Sequence, residues 1–296
     1  MWEELTAILS ADLPSQEDAA RLGDILYSRC YTRSVLEAEE SGGAREDLTP
    51  LLQAANRSRA RWVEGWRIEQ VLDDGRVVAA RNGAERPFSP GEYITHRGIG
   101  TGLAAGIEIT VYAAAGSAEI QDSFYHAFGE TVADGESGGI LRFYWNIQPE
   151  GAARLMESLT SAFNRFQIPF RFKCLNQRSH FPRRDAAVLY LEGRYYRIAA
   201  LLLEGVHGEV ARWLNAGTPL FTRRLAHGFA LAEDPGDSFG QHRCGILAGA
   251  MAASYGRTVE ERLAELRRHF EMRGLSLDAP WLNAHSTGAY EYPICG

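Results

Sequence analysis

Lysine is almost missing from this chain: of 31 basic residues in 296, only Lys173 is lysine and every other is arginine. A coding bias toward arginine accounts for the general pattern. Guanidinium serves wherever a fixed positive charge suffices, but it does not give up its proton, whereas a lysine amine can be tuned to do so. That difference singles out Lys173 as a candidate for chemistry. Cysteine is scarce too, and Cys30, Cys174, Cys244 and Cys295 show no C-x-x-C spacing. They read as buried, reduced thiols, not as a zinc site or a disulfide frame. Long apolar runs are absent, the longest being Ile198–Leu203, far short of the ~20 residues that span a bilayer. The first residues, MWEELTAILSADLPSQED, are acidic and lack the basic stretch of a signal peptide. Basic runs are lacking as well, and 38 acidic against 31 basic residues leave a net charge of −7, a poor match to a phosphate backbone. These absences predict a soluble cytoplasmic protein with neither a membrane nor a nucleic-acid partner.

Several familiar motifs are also missing. No histidine pair has the H-E-x-x-H spacing, and no G-x-S-x-G elbow marks a serine nucleophile. Gly98, Gly100, Gly102 and Gly106 imitate a nucleotide loop, but the strand-like IEITVY follows them where a helix is needed. That stretch reads as a flexible loop or bulge. His126, His207, His227, His269 and His285 read as ordinary surface or core histidines.

What is present is a globular composition, 45% hydrophobic and 23% charged. Residues 1–65 carry helical spacing in MWEELTAILSADL, SQEDAARLGDILYSRCYT and LTPLLQAANRSRARW. At Trp66 the period changes to short strands, with Asp74-Gly75 and Asn82-Gly83 as hairpin turns. Strands are predicted at IEITVYAA, ILRFYWNI, IPFRFKCL and DAAVLYL, with DSFYHAFGE as a short segment ending at a turn. Helices are predicted at PEGAARLMESLTSAFNRF (Ala153, Met156, Leu159 and Phe163 on one face), RYYRIAALLLEGVHGEVARWL, SFGQHRCGILAGAMAASYG and TVEERLAELRRHFEMRG. AHGFALAEDPGD reads as a glycine-containing loop. The expected fold is α+β, a central mixed or antiparallel sheet flanked by helices: a helical N-terminal segment, 1–65, and an α+β domain, 66–296.

Between residues 142 and 190 the cations gather. Alternation in RFYWN puts Arg142, Tyr144 and Asn146 on one strand face. In PFRFKCL it puts Arg171 with Lys173, and Phe170 with Phe172 on the opposite face. SHFPRRDAAVLY adds His180, Arg183, Arg184 and Asp185, and farther on come Arg223, Arg224, His242 and Arg243. Each arginine taken alone reads as a solvated face. Together, one lysine among arginines and two histidines describe a site for a phosphate group and a proton transfer.

The segments FYHAFGE, LRFYWNI, IPFRFKCLN, RRDAAVLYL and TPLFTRRLAHGFALAEDPGDSFGQHRC resemble the HopA-type effector-like family over residues 95–285, most specifically 168–244. The chain departs from that pattern at Arg223-Arg224, where the family carries Lys-Pro. The resemblance implies a phosphoserine/phosphothreonine lyase of thioamitide and class V lanthipeptide pathways. Such a lyase takes a phosphorylated leader–core precursor peptide after an aminoglycoside-phosphotransferase-like kinase, with which it is expected to associate. It implies no metal and no organic cofactor. In that chemistry Lys173 is the base, and Arg142, Arg171, Arg183, Arg184, Arg223 and Arg243 are the phosphate-binding candidates. His242, or else His180, is the acid, and Asn146 or Tyr144 stabilises the enolate-like oxygen. Two alternatives stay open: a non-catalytic peptide-binding subunit that supports the kinase, and a host-directed effector.

Overall fold

In the computed structural model, which describes residues 1–11, 19–33, 45–95, 102–132 and 139–293, the chain begins with helices α1 (Trp2–Ser10) and α2 (Ala19–Leu26). The second runs into a π-helical turn, Tyr27–Tyr31, and α3 (Thr49–Ala55) follows. The sequence pattern extends this last helix through Trp62, but the structure ends it at Ala55. There the Asn56 side chain donates to Ala115 O (2.9 Å) and the Arg57 amide to Thr160 Oγ1 (2.9 Å), so tertiary bonds replace helical ones.

Strands β1 (Arg61–Val71), β2 (Val77–Arg81), β3 (Ala84–Phe88), β4 (Tyr93–Thr95) and β5 (Glu108–Ala113) form an antiparallel sheet in the order β3-β2-β1-β5-β4. The predicted hairpin at Asn82-Gly83 takes the left-handed backbone such turns require, φ 50° and 80°. Val63, Trp66, Ile68, Val77, Ile109 and Val111 give this sheet its own apolar core. Most of the predicted glycine loop, residues 96–101, lies outside the described residues.

The central sheet has seven strands: β6 (Gly116–Ser117), β7 (Phe124–Phe128), β8 (Ile140–Trp145), β9 (Arg171–Leu175), β10 (Ala187–Glu192), β11 (Arg223–Ala226) and β12 (Phe229–Glu233). Their order is β11-β12-β8-β10-β9-β7-β6, every pair antiparallel. Two of them correct the sequence reading. FYHAF is an interior strand and not a short segment before a turn. FALAE is a strand beside β8 and not a loop. All five of its residues are buried, so no alternation advertises it.

Helices α4 (Pro149–Arg165) and α5 (Tyr196–Val210) cover the sheet face that carries Phe143, Phe172, Leu189 and Leu231. On α4 the buried stripe is Ala152, Leu155, Met156, Leu159 and Phe163, with Ala153 only half-buried. The opposite face packs Tyr144, Val188, Ala230 and Ala232 against α1, α2, α6 (Phe239–Ala253) and α7 (Val259–Glu271). This second apolar layer takes residues from β12, β8 and β10 but none from β9 or β7. The same face continues past the helices, and there polar side chains take over. Gly240 admits the aromatic π-turn to α6: a Cβ there would lie 2.5 Å from the Tyr31 ring. Among the described residues no helix is long and apolar enough to cross a membrane.

Candidate functional site

Antiparallel register assembles the site across four strands. In one row Arg142 pairs with Tyr190, Tyr190 with Arg171 and Arg171 with Phe128; two residues along, Tyr144 pairs with Val188, Val188 with Lys173 and Lys173 with His126. Side chains in alternate rows share a face, so these groups converge where the helices give out. Two aromatic rings organise the cations. Tyr190 has Arg171 at 4.3 Å, Arg142 at 5.2 Å and Lys173 Nζ at 5.9 Å from its centroid. Phe124 has Lys173 Nζ at 4.4 Å and Arg183 at 5.8 Å. Ring faces offset part of the repulsion among four like charges.

The counter-charges are few. Arg183 is held by Asp185 through two bonds (2.9 and 2.8 Å) and donates to Tyr27 Oη (3.3 Å) on the π-turn. Arg142 pairs with Asp234 (2.9 Å) and reaches Asp237 O (2.6 Å). Arg171 is exposed and has no ion-pair partner among the described residues. Lys173 Nζ donates to Gln121 Oε1 at 3.0 Å. Burial, followed by the charges of Arg142, Arg183 and Arg171, outweighs Asp185 and lowers the Lys173 amine to about 8. About a tenth of it is therefore neutral at pH 7.

The polar atoms left unpaired in this region are as telling as the paired ones. Both ring nitrogens of His126 and Arg142 Nε are buried and make no hydrogen bond among the described residues. Such groups cost stability unless a ligand completes them. His126 was not singled out from the sequence. Its one available signal was the alternation of FYHAF, which puts Phe124, His126 and Phe128 on one face, but only the β7–β9 register puts that face beside Lys173.

Of the residues expected from the sequence, the structure brings together Lys173, Arg142, Arg171, Arg183 and Tyr144. The Tyr144 hydroxyl is buried beneath Tyr31 and Phe239 and backs Arg142. The structure places the other candidates elsewhere. Asn146 is spent on Gly217 O (3.0 Å) and Asn215 (3.3 Å), pinning a loop. Arg184 points to Glu4 (2.7 Å) and Thr218 O (3.2 Å), which ties α1 to the same loop. Arg243 is fully buried and bonds Pro280 O (2.8 Å) and Leu282 O (2.9 Å). Its third donor meets His242 Nδ1 at 2.6 Å, so that nitrogen is an acceptor and carries no proton to give. Burial, then Arg243 and Arg273, also lower the proton affinity of His242. His180 is exposed on a single 3-10 turn, and Arg223 sits on edge strand β11 over Trp281 (5.8 Å). No group of three or more His, Cys, Asp or Glu side chains among the described residues is placed to hold a metal.

The position of His126 has a measurable consequence. Burial, then Lys173 and Arg171, push its imidazole down from 6.5 to about 4. Between those values the unfolded chain binds the proton more readily. The neutral ring therefore favours the fold above pH 6.5, and that contribution is lost as the pH falls through about 4. The loss is about 3 kcal/mol. Urea unfolding across this window is expected to show a shallower pH dependence in His126→Gln than in the parent. Equal slopes would mean that the parent ring is already protonated in the fold.

The sequence pattern of the HopA1 effector protein family matches residues 115–282, more than half of the chain. No curated protein sequence matches. Among solved structures, the effector protein from Pseudomonas syringae pv. tomato strain DC3000 is similar with a TM-score of 0.55 at 17% identity, covering 95% of each chain. The effector protein from Pseudomonas syringae pv. syringae strain 61 is similar with a TM-score of 0.52 at 16% identity, covering 96% of this chain and 99% of that one. At such identities the likeness is one of fold.

Proposed function

The chain belongs to the HopA1 effector protein family, and from that premise we propose that it is a phosphoserine/phosphothreonine lyase acting on a kinase-phosphorylated precursor peptide. Its products are a dehydroamino acid and phosphate, a step in peptide natural-product biosynthesis. The observation that carries the reading is the surroundings of the single lysine, which is half-buried among Arg142, Arg171 and Arg183 and opposite the unpaired ring of His126.

Elimination breaks the Cα–H and Cβ–O bonds and forms a Cα=Cβ double bond. Lys173, neutral in the required fraction, takes the Cα proton. Arg142 and Arg171 over the Tyr190 ring, with Arg183, receive the phosphate dianion, and their forks suit its oxygens. A dianion beside His126 raises the proton affinity of that ring. With the dianion bound, His126 takes a proton from solvent and gives it to the departing oxygen as the Cβ–O bond opens. The peptide reaches the site after an aminoglycoside-phosphotransferase-like kinase has phosphorylated it, and a complex of the two enzymes fits that order.

The purified protein, given a phosphothreonine peptide that includes its leader and no ATP, is expected to release phosphate and lower the peptide mass by one phosphoric acid. A peptide that stays intact even with the kinase added overturns the lyase reading in favour of a peptide-binding subunit. The description of the similar structures as effectors favours a second reading, action on a host protein. Turnover of phosphorylated host proteins but not of the precursor peptide would select it.

A further inference from the structure

We propose, resting on the reading of Lys173 as the base, that Gln121 is the positioning residue of that base: its Oε1 accepts from Lys173 Nζ at 3.0 Å and fixes the direction of the amine without adding charge. A neutral amine that donates one N–H to a fixed acceptor has its other hydrogen and its lone pair confined to the other side. The Phe124 ring, 4.4 Å from Nζ, closes a second direction. Among the described residues, what stays open is the side of the arginines.

The loop that presents Gln121 is built to hold it. The Phe124 amide donates to Gln121 O (3.2 Å), closing a turn in which Ser123 adopts a left-handed backbone, φ 69°. A non-glycine residue in that conformation persists only where its surroundings impose it. Here Ser123 O accepts from the Asn176 amide (2.9 Å), and Asn176 Nδ2 reaches Thr49 Oγ1 (3.1 Å). Asn176 directly follows β9, so the loop is tied to the strand that carries Lys173.

The chemistry of the acceptor matters as much as its place. The groups that face the amine are Arg142 on β8, Arg171 on β9, His126 on β7, Tyr190 on β10, and Arg183 and Asp185 ahead of β10. Asp185 is the one carboxylate among them, and both of its oxygens are engaged by Arg183. Gln121 lies between Glu119 and Asp122, two acids, yet the side chain that touches the lysine is an amide. A carboxylate at 3.0 Å would hold the proton on the amine. The amide supplies the same directional acceptor and leaves the proton free to depart.

Because Lys173 is the only lysine, isotope-labelled lysine gives one side-chain resonance in the full-length protein. Its titration is expected to have a midpoint near 8 in the parent. Gln121→Glu is expected to raise that midpoint by about one unit or more. The acid limb of the kcat profile on the phosphothreonine peptide should move by the same amount, with activity recovering at high pH. Gln121→Met is expected to melt with the parent and keep its KM, while kcat falls about tenfold because the amine loses its direction. An unmoved Lys173 midpoint in Gln121→Glu, or a Gln121→Met variant with parental kcat, overturns the positioning role and leaves the lyase reading standing. A midpoint that moves in a protein with no lyase activity overturns the lyase reading, and the positioning role falls with it, although the contact itself is real.

Discussion

Lys173→Arg is expected to stop elimination while phosphopeptide binding stays within a few-fold of the parent. Arginine keeps the positive charge and much of the length, so the cation set around Tyr190 and Phe124 still attracts the dianion. It cannot take the Cα proton, because a guanidinium stays protonated at neutral pH. The expected loss in kcat is about 10²–10⁴-fold, the usual contribution of a positioned base. A purely electrostatic role for Lys173 predicts substantial activity in the same variant. A structural role predicts a lower melting temperature, since the β9 position sits between His126 and Val188 in the sheet. Turnover, binding and melting measured on one preparation separate these outcomes. Turnover within a few-fold of the parent removes Lys173 as the base.

Arg243→Lys is expected to have the largest effect on stability and little on phosphate affinity per folded molecule. The Arg243 guanidinium is completely buried over the Phe239 ring (4.9 Å) and closes three bonds at once, to Pro280 O, Leu282 O and His242. Burial lowers it only to about 10, so it remains charged at neutral pH. Lysine cannot span both carbonyls, and leaving one of them and part of a buried charge unpaired costs about 3 kcal/mol. In a domain of this size that is a fall in melting temperature of about 6–12 °C. The damage should start in residues 280–290, where Glu233 also binds the Asn283 amide (2.6 Å) and Tyr290 Oη (2.6 Å), and proteolysis would report it. An unchanged melting temperature with weakened phosphopeptide binding would return Arg243 to the phosphate clamp expected from the sequence.

Local pattern by itself determined the α+β class, the helices over PEGAARLMESLTSAFNR and VEERLAELRRHFE, the strands ILRFYW and RFKCL, and the shared face of Arg142 and Tyr144 and of Arg171 and Lys173. Those properties follow from periods of 3.6 and 2, which are written residue by residue. Composition determined that Lys173 deserved attention, since the amine and the guanidinium differ in whether they can lose a proton. Only the tertiary structure decided which arginines are spent. Arg183 and Arg184 are adjacent in sequence, yet one joins Asp185 beside Lys173 and the other binds Glu4, 180 positions earlier. His126 and His242 were equally plain as letters. Strand register put the first opposite Lys173 with both nitrogens open, while helix α6 put the second against Arg243 with one nitrogen already occupied. Pairing between strands distant in sequence is non-local, and even the bonds between near neighbours, Arg183 to Asp185 and Arg243 to His242, are set by the elements packed around them, which no window along the chain contains.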